Sequence, residues 1–199
     1  MSTAAILERP ENSHPRRVTK DEFYRLVEAG HFDGTRVELI GGEILTMAAQ
    51  SNRHGAAVTL TARALDRIFA TGFWVRAQMT LDLLPNSMPD PDLAVVVGDP
   101  ANPSNDLPTT ALLIVEVSDS TLRTDRTTKA GLYAASGIAD YWILNLQDNV
   151  LEVRRDPRPD TTEPFGYSSG SLSTLRPGEF ATPLAAPTAR IAVAELLPG

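Results

Sequence analysis

Apolar and polar positions trade places at two spacings along this chain, and the change of spacing marks its elements. Thr19 and Glu22 fit a capping box opening a helix over KDEFYRLVEAG, closed by Gly30, with Phe23, Leu26 and Val27 on one docking face. RVELI and EILTM then alternate across Gly41-Gly42, which predicts a β-hairpin. In AAVTLTARALDRIFATG, the residues Leu60, Ala64, Leu65 and Ile68 form a helical stripe, with Arg63 and Arg67 on the other face and Gly72 at the end. Alternation returns from Trp74 to Leu84 and predicts a strand. LAVVV and LLIVEVS predict two more, separated by the loop GDPANPSNDLPTT. A helix is expected from about Asp125 to Ser136, ended by Gly137. YWILNL and NVLEVRR pair as a second hairpin near Gln147-Asp148. Short strands are expected around residues 165–175 and an apolar edge from Ile191 to Leu197. This order predicts a mixed α+β domain with a central sheet flanked by helices. Residues 1–17 carry polar residues and two prolines without periodicity and read as a flexible leader, leaving residues 18–199 as a single domain.

Two positions break the apolar pattern. Asp92 opens LAVVV and Glu116 sits inside LLIVEV. A carboxylate in a buried strand costs several kcal/mol unless it is paired or bound to a cation. Residues two apart in a strand share a face, so Ile114, Glu116 and Ser118 point one way and Val115 and Val117 the other. If the two strands are antiparallel neighbours, Asp92 and Glu116 meet, with opposed Cβ atoms roughly 4.5–5.5 Å apart. That spacing suits one shared cation, and oxygen ligands favour Mg²⁺ or Mn²⁺. The alternative is that Asp92 caps a turn and Glu116 pairs with an arginine such as Arg76 or Arg126.

Composition narrows the chemistry. With 199 residues the chain can bury a proper core, and the absence of cysteine excludes disulfides, thiolate metal sites and thiol catalysis. A net charge of −7 argues against a non-specific nucleic-acid coat. It leaves room for one local basic surface, for which Arg53, Arg63, Arg67, Arg123 and Arg126 are candidates. No apolar run has the length of a membrane span and no signal-peptide pattern opens the chain, so a cytoplasmic location is the expectation. No G-x-S-x-G elbow accompanies Ser118 and Asp119, which argues against a serine hydrolase.

PD-x-LAVVV, followed 24 positions after Asp92 by Glu116 in VEVS, resembles the PD-(D/E)XK nuclease signature. The chain more closely resembles the Uma-two family of restriction-endonuclease-like proteins. The matching residues are Arg36 to Ile40 with Gly42-Glu43, His54, Pro91-Asp92, Glu116 to Ser118, Asp125-Arg126, Lys129, Tyr133, and Gly137 with Asp140 to Ile143. The resemblance implies a restriction-endonuclease-like fold and metal-dependent cleavage of phosphodiester bonds, with DNA as substrate. It implies Asp92, Glu116 and the carbonyl of Val117 as ligands of Mg²⁺ or Mn²⁺. The signature places a lysine two residues after the glutamate, where this chain has Ser118, and Lys129 is the natural replacement. Glu38 is a fourth candidate catalytic residue, alternatively a solvent-facing strand residue, with Glu43 across the turn as its structural partner. His54, Arg126 and Tyr133 are candidate substrate contacts, each with a structural alternative. Cutting two strands suits a homodimer. The competing expectation is a catalytically degenerate nuclease fold that binds nucleic acid or a protein partner.

Overall fold

The computed structural model describes residues 16–47, 49–84 and 86–199. Most of the expected leader therefore lies outside the described residues. Its last residue, Arg17, docks on the domain through a hydrogen bond to the Gly41 carbonyl.

Helix α1 (Lys20–Glu28) begins with the expected reciprocal cap. The Thr19 N–H donates to Glu22 Oε2 at 3.0 Å, and the Glu22 N–H donates to Thr19 Oγ1 at 3.3 Å. Its predicted docking face is only partly used: Phe23 is buried, but Val27 is 45% exposed, as is Tyr24 at 44%. The hairpin β1 (Val37–Ile40) and β2 (Glu43–Thr46) turns on Gly41-Gly42, both at positive φ. In its register Glu38 faces Leu45, so the exposed Glu43 is not its partner.

Helix α2 (Asn52–Asp66) leads to the central sheet. That sheet runs β3 (Phe73–Ala77), β4 (Leu93–Val97), β5 (Leu113–Ser118), β6 (Asp140–Asn145), β7 (Val150–Pro159), β8 (Tyr167–Leu175) in space. All neighbours are antiparallel except β5 and β6. The parallel pair needs a crossover. It is supplied by α3 (Leu122–Thr124), a π-helical turn (Asp125–Lys129) and α4 (Ala130–Ala135), where one helix starting near Asp125 was expected. The strand expected to run to Leu84 stops at Ala77. Past Leu93 its neighbour presents Pro91 and Pro89, which lack the N–H a ladder needs, and Gln78 turns away at φ 52°. The apolar edge at Ile191–Leu197 is a short strand, β9 and β10 being Phe180–Ala181 and Ile191–Ala192, followed by a helical turn α5 (Val193–Leu196).

Alternation along the sheet feeds two cores. Leu93, Val95, Val115, Val117 and Trp142 face α2 and α5, while Ala94, Ile114, Ile143 and Tyr141 face α4 and the hairpin. Every residue of β5 and β6 is buried. Among the described residues no helix is long and apolar enough to cross a membrane.

Candidate active site

The β4–β5 register pairs Leu93 with Val115, so one step further Asp92 stands opposite Glu116. The Asp92 N–H donates to Glu116 Oε2 at 3.3 Å, and the Val117 N–H donates to Asp92 Oδ2 at 2.9 Å. Both acids are buried. The N–H and C=O of a strand residue point to the same side, so the Val117 carbonyl faces the Asp92 edge as well. Neither arginine considered as a partner is bonded to Glu116. Arg76 donates to the Thr80 carbonyl and lies 4.7 Å over the Trp74 ring. Arg126 forks onto Glu152, with Nε 3.0 Å from Oε1, and is not among the residues lining the cleft. Arg126, which the resemblance offered as a substrate contact, thus stands outside the cleft with its Nε and Nη2 engaged by Glu152 on β7. Arg67 is likewise paired, to Glu195, and the arginine at the cleft is Arg36.

Lys129 reaches back over the strand tip. Its Nζ donates to Glu116 Oε1 at 3.0 Å and to Glu38 Oε1 at 3.2 Å. Tyr133 Oη donates to the same Glu116 oxygen at 2.6 Å. The π turn explains how Asp125, Lys129 and Tyr133, spaced by fours, all face the sheet. Four residues of α-helix overshoot a full turn by about 40°, whereas a wider π turn makes four fall short. The two drifts offset each other. At the position where the signature has its lysine, the Ser118 hydroxyl donates to Asp125 Oδ2 at 2.5 Å, and Thr121 donates to the same oxygen. Glu38 is buried rather than solvent-facing. It accepts the Asp90 N–H at 3.0 Å on Oε1, and its Oε2 has no hydrogen-bond partner among the described residues.

His54 neither caps its helix nor stands free. Ser51 is the cap, accepting the His54 N–H, while His54 Nε2 meets Asp92 Oδ2 at 3.1 Å. Gln78, which the sequence reading missed, donates from Nε2 to Asp92 Oδ1 at 3.2 Å. Its only sequence signal is position: it is the residue at which β3 loses its partner. Asp90 and Asp125 also border the cleft without having been given a role from the sequence, although Asp125 is among the residues that carry the family resemblance.

These groups border a cleft of about 430 Å³ that includes Arg36, Glu38, His54, Asp92, Glu116 and Lys129. Its electrostatics are lopsided. Burial pushes the Glu116 carboxyl up to about 8; the Lys129 charge opposes that shift, and Asp92, Asp125 and Glu38 reinforce it. Burial likewise raises Glu38, Asp90 and Asp125. Desolvation also pushes Asp92 upward, but hydrogen bonds from His54, Val117 and Gln78 outweigh it and hold that carboxyl low. The bond to Asp92 raises His54. Desolvation disfavours the Lys129 charge, yet Glu116, Glu38 and Asp125 together keep it firmly protonated.

A pH dependence follows. Between the ordinary carboxylate range and about 8, folded Glu116 holds a proton that the unfolded chain has released. The folded state then binds more protons, and stability falls as pH rises. Raised His54 acts in the same direction: its contribution is complete below its ordinary value and is lost as pH climbs through the raised one. Asp92, held low, acts oppositely and only in acid, where its contribution disappears as pH falls. Thermal melts in chelator should therefore give a lower Tm at about pH 8.5 than at about pH 5.5. Glu116→Gln should flatten that slope, and an unchanged slope would contradict the assignment.

A mixed sheet with two acids converging at adjoining strand tips, covered by a crossover helix, defines a restriction-endonuclease-like fold. Residues 21–188 match the Uma2 family, described as "Putative restriction endonuclease", and the chain belongs to that family. Membership supports a nuclease-type function. In fold the chain is similar to a crystal structure of a "putative nuclease belonging to DUF820" from Anabaena variabilis ATCC 29413. The TM-score is 0.69 at 13% identity, covering 90% of this chain and 97% of that one. No curated protein matches the chain.

Proposed function

We propose that the protein is an endonuclease hydrolysing phosphodiester bonds in DNA with the help of Mg²⁺ or Mn²⁺ held at Asp92 and Glu116. The observation that carries this reading is the imbalance of buried charge. Glu38, Asp92, Glu116 and Asp125 line one cleft with the buried ammonium of Lys129, and among the described residues Glu38 Oε2 is buried without a hydrogen-bond partner. Among the described residues no group of three or more His, Cys, Asp or Glu is arranged to hold a metal. The donor set of this proposal is two carboxylates and the Val117 carbonyl, all bordering the cleft. This suits Mg²⁺, which is commonly bound through one or two carboxylates and keeps several waters.

A divalent cation supplies two things to such a reaction, polarisation of a phosphoryl oxygen and a water made nucleophilic near neutral pH. The chain's residues do the rest. His54, Gln78 and the Val117 N–H fix Asp92; Tyr133 and Lys129 fix Glu116. Glu38 anchors Lys129 from the opposite side, leaving one of the three ammonium protons for the attacking water or a phosphoryl oxygen. Arg36 at the cleft offers a charge to a neighbouring phosphate.

The test is nicking of supercoiled plasmid in Mg²⁺ or Mn²⁺, alongside calorimetric titration of the cation. Saturable binding and chelator-sensitive nicking are expected. Absence of both cation binding and nicking would defeat the proposal, and DNA binding without nicking would favour the degenerate module.

A further inference from the structure

We infer that a second pocket, which shares Asp90 with the catalytic cleft, seats a nucleobase of the strand whose backbone lies in that cleft. This inference rests on the nuclease reading above. The pocket, about 380 Å³, is lined mainly by Phe23, Tyr24, Val27, Phe32, Met88 and Leu107. Its apolar wall is continuous with a small core, and the rings of Phe23 and Phe32 lie 6.2 Å apart. Tyr24 and Val27 remain substantially exposed at its rim, an apolar surface that α1 does not bury.

Asp90 borders both cavities. Its backbone N–H serves Glu38 on the cleft side, while Thr80, a pocket residue, donates to its Oδ1 at 2.6 Å. Asp90 precedes Asp92 by two residues, about 7 Å of extended chain. A strand with one phosphate at Asp92 and Glu116 therefore brings an adjacent base to this opening. The surroundings suit a base better than an apolar peptide. Aromatic faces offer stacking, and Asp33 and Asp90 offer acceptors to exocyclic amino groups such as cytosine N4.

Fluorescence anisotropy of labelled dC12 and dT12 tests this with the full chain, separately from cleavage. Tyr24→Ala, at an exposed position, should weaken dC12 binding roughly 5- to 100-fold. Cation binding should be unchanged. Tyr24→Phe, which keeps the ring, should retain wild-type affinity, and dC12 should bind more tightly than dT12. Wild-type affinity of Tyr24→Ala for both oligonucleotides overturns the inference. Equal weakening in Tyr24→Phe and Tyr24→Ala also overturns it, since stacking would then not be the cause. Because binding and nicking are read separately, loss of the metal reading with Tyr24-dependent binding retained leaves the pocket standing.

Discussion

Lys129→Met should lower the free energy of unfolding by about 3–5 kcal/mol in chelator, the range for removing one partner of a buried ion pair. The ammonium sits between Glu38 and Glu116, all three being almost wholly buried. Methionine matches the stem but leaves two carboxyls facing each other without a counter-charge. Each must then take up a proton or accept a divalent cation. Two further results are therefore expected: the loss shrinks on acidification, and saturating Mg²⁺ restores more stability to Lys129→Met than to the parent. Urea unfolding at several pH values measures both. An unchanged midpoint in Lys129→Met would show that the ammonium does not hold these acids together.

Asp92→Asn and Glu116→Gln should each reduce cation-dependent nicking by more than about 100-fold, since even the outer partners of a metal ligand are worth 10- to 100-fold. Both changes keep side-chain shape while removing the charge, so circular dichroism should remain native. Both should lose stability. Asp92 is held in its charged form by three donors and loses acceptors as asparagine. Glu116 accepts on both oxygens, from Lys129 and Tyr133 on one and from the Asp92 N–H on the other, so glutamine must turn its NH₂ toward a donor. Undiminished nicking in both variants would end the metal proposal.

The sequence made the paired acids legible because strand periodicity is rigid: once β4 and β5 neighbour each other antiparallel, Asp92 and Glu116 are opposed. The Gly41-Gly42 hairpin and the Thr19 cap were readable for the same reason, being local geometry with few solutions. What failed depended on partners distant in sequence. The pairing of Arg126 with Glu152 becomes visible only once β7 places that acid beside it. The end of β3 at Ala77 was set by prolines on another strand, and Gln78 became visible only with that ending. The one-turn spacing of Lys129 and Tyr133 was readable as a shared helical face, whereas the π turn that brings Asp125 onto that face leaves no composition signal.

The tip of one carboxylate gathers three remote parts of the molecule: α2 through His54, the end of β3 through Gln78, and the backbone of β5 through Val117. Such a constellation behaves as a keystone. Transplanting the two acids alone into another scaffold would carry over the ligands without the masonry that fixes their aim, so an engineer borrowing this centre would have to move the arch as one piece.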